Sequence, residues 1–155
     1  MPDQPITVAL ACDHAAVELK HALIAWLGEQ GHATLDLGTD GTASVDYPDF
    51  GYALAEAIAG GRASFGVALC GSGVGISIAV NRHPEARCAL VSEPLSARLA
   101  REHNNANVIA MGARLIGVDM ARNCLATFLA TEFAGGRHAG RVAKLDHPPV
   151  LKEPA

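Results

Sequence analysis

Residues 6–12, 33–37, 67–70, 87–91 and 108–111 are short runs rich in apolar side chains, the pattern of strands buried on both faces. Between them the apolar positions open out to helical spacing. In 15–27, Val17, Leu19, Leu23, Ile24 and Leu27 fall roughly on one face, which leaves Glu18, Lys20 and His21 for the polar side. Residues 49–59 read as a second helix, with Pro48 in its first turn and Gly60-Gly61 at its end. A third continues through Ile76 to Asn81. Ser92 is placed to cap a fourth, with Glu93 and Pro94 in its first turn, running to about His103 before Asn104 and Asn105 break it. Residues 117–133 form a long amphipathic stretch. Strand and helix thus alternate five times, which predicts a three-layer α/β/α sandwich around a five-stranded parallel, Rossmann-like sheet.

Such sheets bind ligands beyond the carboxyl ends of the strands, where the strand order reverses. Asp13-His14 follows the first strand, and Cys70-Gly71-Ser72-Gly73-Val74-Gly75 follows the third. If those strands are neighbours, the two motifs meet in one crevice. Glycine lets a ligand approach the peptide plane, and a helix N-terminus offers unpaired N–H donors with a partial positive charge. Cys70 then reads either as a nucleophile or base beside an anion-binding backbone, or as a small core residue before a tight turn.

Composition narrows the choice. With 155 residues, half of them apolar, the chain suits one domain with a full core. That domain is expected over 1–145, with an extended or mobile tail over 146–155, where three prolines fall. A net charge of −4 without a basic block argues against nucleic-acid binding. No apolar run reaches the length of a membrane span, and the start, M-P-D-Q-P, has no secretory pattern, so a cytoplasmic protein is expected. The cysteines, Cys12, Cys70, Cys88 and Cys124, form no CxxC pair and are expected as reduced thiols.

The glycine motif departs from the familiar nucleotide loops. Ile76 stands where a dinucleotide fingerprint wants its third glycine, and no G-K-[ST] is present. Ile76 also stands where a cysteine phosphatase needs its arginine. Arg137 and Arg141, four apart after Gly135-Gly136, are either a phosphate clamp on one helix face or a solvated pair. His103 is either a helix-end cap or a chemical group. His21, His32, His83 and His147 read as surface residues. Asp13-His14 has no companion at ligand spacing, so no metal is expected.

Taken together, A-C-D-H at 11–14, D-Y-P at 46–48, C-G-S-G-V-G-I-S-I-A-V-N-R at 70–82, S-E-P-L-S-A-R at 92–98, H-N-N-A-N-V at 103–108, M-G-A-R at 111–114 and G-G-R-H-A-G-R at 135–141 resemble the type B ribose-5-phosphate isomerases. The same family holds galactose-6-phosphate and allose-6-phosphate isomerases. The resemblance covers nearly the whole chain and implies a cofactor-free, metal-free aldose–ketose isomerase acting on a small sugar phosphate. It implies that Cys70 moves the proton between C1 and C2, that Ser72 and the backbone N–H groups of Gly71, Gly73, Val74 and Gly75 hold the enediolate oxygen, and that His103 opens the sugar ring. Asp13 and Tyr47 would contact hydroxyls, His14, Arg137 and Arg141 the phosphate, and Asn104 and Arg114 would complete the pocket. Homodimers or homotetramers with shared sites are implied as well. Ser72 replaces a threonine common in the family and keeps the hydroxyl. Ile76 replaces the glutamate base of another branch, which puts this chain with the cysteine-dependent one. The first reading is interconversion of ribose 5-phosphate and ribulose 5-phosphate. Those set against it are an allose- or galactose-6-phosphate isomerase, a non-catalytic sugar-phosphate binding protein or one subunit of a mixed oligomer, and a nucleotide-binding module.

Overall fold

In the computed structural model, which describes residues 2–149, five strands pair in parallel in the order β2-β1-β3-β5-β4. They are β1 (Thr7–Cys12), β2 (Ala33–Asp36), β3 (Phe65–Cys70), β4 (Cys88–Leu90) and β5 (Val108–Gly112). The helices are α1 (Val17–Glu29), α2 (Tyr47–Ala59), α3 (Val74–Val80), α4 (Pro94–Asn104), α5 (Val118–Ala130) and α6 (Arg137–Asp146). The expected α/β/α sandwich is therefore present, and β1 and β3 are neighbours.

Successive strand residues point to opposite faces, and the two faces differ in side-chain size. Val8, Leu10, Val67, Leu69, Ile109 and Met111 pack against Leu19, Leu23 and Leu27 of α1, Ala97 of α4, and Leu125 and Phe128 of α5. Burial of each large apolar side chain contributes roughly 1.5–3 kcal/mol. The other face presents Ala9, Ala11, Ala68, Cys70 and Ala110 to Leu54 of α2 and to Ile76 and Val80 of α3. Its small side chains bring α2 and α3 close to the sheet at the end where Cys70 lies. α6 packs outside this sandwich, against α4.

Several boundaries differ from the sequence reading, each for a local reason. α2 begins at Tyr47, with Asp46 in extended backbone as its cap residue. The cap of α4 is Glu93, not Ser92, because one carboxylate accepts from Leu95 N at 2.6 Å and from Ser96 N at 2.7 Å. α5 stops at Ala130, three residues short of the expected end at Phe133. There the backbone turns to tertiary partners, Thr131 O accepting from Arg101 Nε at 3.2 Å and Ala134 N donating to Glu102 O at 3.1 Å. Of the expected tail, Asp146 still belongs to α6, and 150–155 lie outside the described residues. Lys20 and His32, assigned to the surface from sequence, are both buried. No helix among the described residues is long and apolar enough to cross a membrane.

Candidate active site

A cavity of about 590 Å³ lies at the carboxyl ends of β1, β3 and β5, lined by Asp13, Tyr47, Cys70, Gly71, Ser72, Val74, Gly75, Ile78, Arg114 and Leu115. Parallel pairing produces this convergence. Cys12 pairs with Leu69, and Cys70 with Gly112, so the loops that leave the three strands emerge side by side. Backbone bonds then lock them together. Asp13 N donates to Leu69 O, Ala113 N to Cys70 O, and Arg114 N to Gly71 O, at 3.2, 2.9 and 3.0 Å.

The Cys70 thiol is buried at the end of its strand and accepts from the N–H of Gly73 at 3.1 Å. That bond requires the chain to reverse within three residues. Gly73 accomplishes it at φ +79°, where a Cβ would also lie 2.8 Å from the carbonyl carbon of Met111. Ser72 Oγ accepts from Val74 N at 3.2 Å, which turns the hydroxyl toward the first turn of α3. At Gly75 the bare backbone admits an aromatic ring, since a Cβ there would stand 2.5 Å from Cζ of Tyr47. The first residue of α2 thereby closes over the first turn of α3. The Arg114 guanidinium lies across Gly71, with Nη1 3.3 Å from where its Cβ would be.

Asp13 is buried, and its Oδ1 accepts from Ala15 N at 3.0 Å. His14 follows it, and its Nδ1 accepts from Val45 N at 3.1 Å. That bond leaves the neutral ring's proton on Nε2. The other three thiols offer no competing base. Burial pushes those of Cys12 and Cys124 up to about 11 and raises that of Cys88. All four cysteines are free, as expected.

His103, Asn104, Arg137 and Arg141 are not in this pocket. α4 runs back along the sheet and ends beside the amino ends of the strands, where the guanidinium of Arg101 lies 4.9 Å from the ring centre of Phe65. Phe65 begins β3 and Cys70 ends it, a separation of roughly 16 Å of strand. At that far end the rings of His103 and His138 stack with centres 4.3 Å apart and planes 14° from parallel. Arg137 and Arg141 lie on the same short helix as His138. Burial, the neighbouring His103 and the two arginines hold the His138 imidazole below the ordinary histidine range. Arg87 ties the cluster down, donating to Asn104 O and Asn105 O and pairing with Asp146 at 2.6 Å. A single chain therefore carries two groups of candidate residues, at opposite ends of its sheet.

The sequence reading missed four contributors. Ile78 and Leu115 line the cavity as exposed apolar residues, which reads as ordinary surface along the chain. His138 counts along the chain only as support for the cluster of Arg137 and Arg141, and its stacking on His103 makes it a member in its own right. Arg87 sat inside an expected strand, and its partners are far away in sequence. The separation of His103 from Cys70 did have a signal. In a parallel sheet each connecting helix runs back, so a residue at a helix's carboxyl end lies at the amino ends of the strands.

Comparison with known proteins points one way. The family model described as Ribose/Galactose Isomerase matches residues 8–145. Ribose-5-phosphate isomerase B of Escherichia coli is 42% identical over 135 residues, covering 87% of this chain and 91% of that protein. The galactose-6-phosphate isomerase subunit LacB of Clostridium acetobutylicum is 40% identical over 128 residues, 83% of this chain and 74% of that one. The crystal structure of a ribose 5-phosphate isomerase from Thermotoga maritima superposes with a TM-score of 0.90 at 45% identity, covering 92% of this chain and 99% of that one.

Proposed function

The chain belongs to the ribose/galactose isomerase family, and from that premise we propose that it interconverts D-ribose 5-phosphate and D-ribulose 5-phosphate. The reaction is an aldose–ketose isomerisation through a cis-enediolate, and the chain's own residues supply its base and its donors. The observation that carries the assignment is the Cys70 thiol, fixed by the Gly73 N–H in a cavity that also holds Asp13, Tyr47, Ser72 and Arg114. A proton α to a carbonyl is weakly acidic, so its base must lie within hydrogen-bond reach and the developing oxyanion must meet fixed donors. Cys70 moves the proton between C1 and C2 on one face of the sugar. Ser72 and the backbone N–H groups of Gly71, Gly73, Val74 and Gly75 stabilise the enediolate oxygen. Asp13 and Tyr47 bind hydroxyls, and Arg114 and His14 serve the outer part of the substrate.

His103, Asn104, Arg137 and Arg141 reach a pocket only from a second copy of the chain. A two-fold pairing sets the cationic end of one protomer over the thiol pocket of the other and generates two equal sites. His103 then works on the ring oxygen while the arginines grip the phosphate, whose binding energy orients the reacting carbons. Val74, Ile78 and Leu90 are all exposed beside the pocket, which supports a covering partner. The fold also suits a single domain over 1–145.

The test is to incubate the protein and its Cys70→Ala variant with ribose 5-phosphate in D₂O, with chelator present, and follow both sugars by NMR. Expected is ribulose 5-phosphate with deuterium at the exchanging carbon, lost in the variant. Full activity in the variant removes Cys70 from the mechanism. The similarity to a galactose-6-phosphate isomerase subunit favours one second reading, a hexose 6-phosphate substrate. Higher kcat/KM for galactose or allose 6-phosphate than for ribose 5-phosphate would establish it.

A further inference from the structure

Lys20 is a fully buried charged side chain, with none of its surface exposed, and it takes no part in the chemistry above. A charge in that position needs partners, and it has two. Its Nζ lies 2.6 Å from Asp36 Oδ1, at the end of β2, and 2.7 Å from Asp40 Oδ1, in the loop that follows. Burial alone would lower the ammonium's pKa, but the bonds to Asp36 and Asp40 outweigh it and the net direction is upward. His21 Nε2 joins at 3.1 Å from the same oxygen of Asp40. His21, Asp36 and Asp40 are close enough together to hold a metal ion, but the lysine already bonds to both carboxylates as a resident cation.

The loop tied down in this way runs from Leu37 to Asp46 and is bonded to the site at both of its ends. Asp36 Oδ1 also accepts from Gly38 N at 2.9 Å. Cys12 N donates to Gly38 O at 2.7 Å, and Thr39 N donates to Cys12 O at 2.9 Å, one residue before Asp13. Farther on, Val45 N donates to the ring of His14, and Asp46 stands at the cap position of the helix that opens with Tyr47. The segment that makes these contacts has one of its anchors in the buried lysine. We infer that Lys20 is a positioning residue for substrate binding, holding the 37–46 loop so that Asp13, His14 and Tyr47 meet the sugar phosphate in fixed geometry. The inference rests on the isomerase reading of that pocket.

Replacement of a buried ion pair by an apolar side chain is often tolerated for stability, so stability alone does not test the role. The experiment compares Lys20→Met and Lys20→Arg with the unmodified protein, using kcat and KM for ribose 5-phosphate and amide hydrogen exchange across 37–46. In Lys20→Met, kcat/KM is expected to fall about ten- to hundredfold, chiefly through KM, as small displacements of binding groups do. Exchange at Val45 should quicken, and Lys20→Arg should recover part of both losses. A lower melting temperature with kcat, KM and Val45 exchange unchanged would make Lys20 purely structural and overturn the inference. If Lys20→Met does not fold, Asp40→Ala removes the loop's bonds to Lys20 and His21, and an unchanged KM there overturns the inference equally. The exchange readout uses no substrate. Failure of the isomerase reading would show as absent turnover by the unmodified protein, while Val45 exchange would still report whether Lys20 holds the loop.

Discussion

At the carboxyl end of β3 a thiol lies among glycines, and most of the donors around it belong to the main chain. At the amino end of the same sheet two imidazoles stack beside two arginines carried on a ten-residue helix. Loops leaving three paired strands are held by the ladder itself, so backbone donors there need no further ordering. Side chains at helix ends are held by other side chains, as Arg87 holds the ends of α4 and α6 together. The first construction suits stabilisation of charge that develops during reaction, since fixed dipoles need no reorganisation. The second suits capture of a charge already present, such as a phosphate.

Removing the thiol should break this contrast most sharply. Cys70→Ala should lower kcat by at least about 10³-fold, within the range for loss of a general base, with little change in melting temperature by calorimetry. At the other end Arg141→Met should act mainly on KM, raising it about ten- to hundredfold, the loss expected of one charge-assisted bond. Equal falls in kcat for the two variants would erase the distinction. If the two ends meet across a two-fold axis, mixing inactive Cys70→Ala chains with inactive His103→Ala chains should restore about a quarter of the original activity. Half of randomly paired dimers then hold one site free of both lesions. No recovery after confirmed subunit exchange would place both groups' action within one chain.

Gly75→Ala tests the backbone side more gently. The new methyl would need the space of Tyr47 Cζ, so the ring must move, with a stability cost of about 1–3 kcal/mol and a several-fold rise in KM. Added to Tyr47→Ala, it should do little more, which a double-mutant cycle would show. The smallest effect concerns the imidazoles. His138 is held below its ordinary pKa of 6.5, so protonation is harder in the folded chain than in the unfolded one. Its contribution to stability is therefore retained at higher pH and declines as pH falls below about 6.5 through the folded value. NMR titration should find His138 below 6.5 and Arg141→Met should move it upward.

Along the chain, the apolar runs and helical spacing determined five strands, the helices between them and the glycine turn after Cys70, because each pattern repeats within a few residues. The family resemblance supplied the residues of both ends and implied that two chains share a site, but not which end of the sheet each group occupies. Tertiary structure decided the rest. Strand order brought Asp13 beside Cys70, and the antiparallel return of α4 carried His103 to the opposite pole. It also reversed the reading of Lys20. By periodicity that residue belongs on the polar side of α1, yet β2 and its loop bring Asp36 and Asp40 over it, and the pairing makes burial of the charge tolerable. Periodicity records which side of a helix is apolar. It holds no information about carboxylates that arrive from a neighbouring strand, and only the folded chain brings those together.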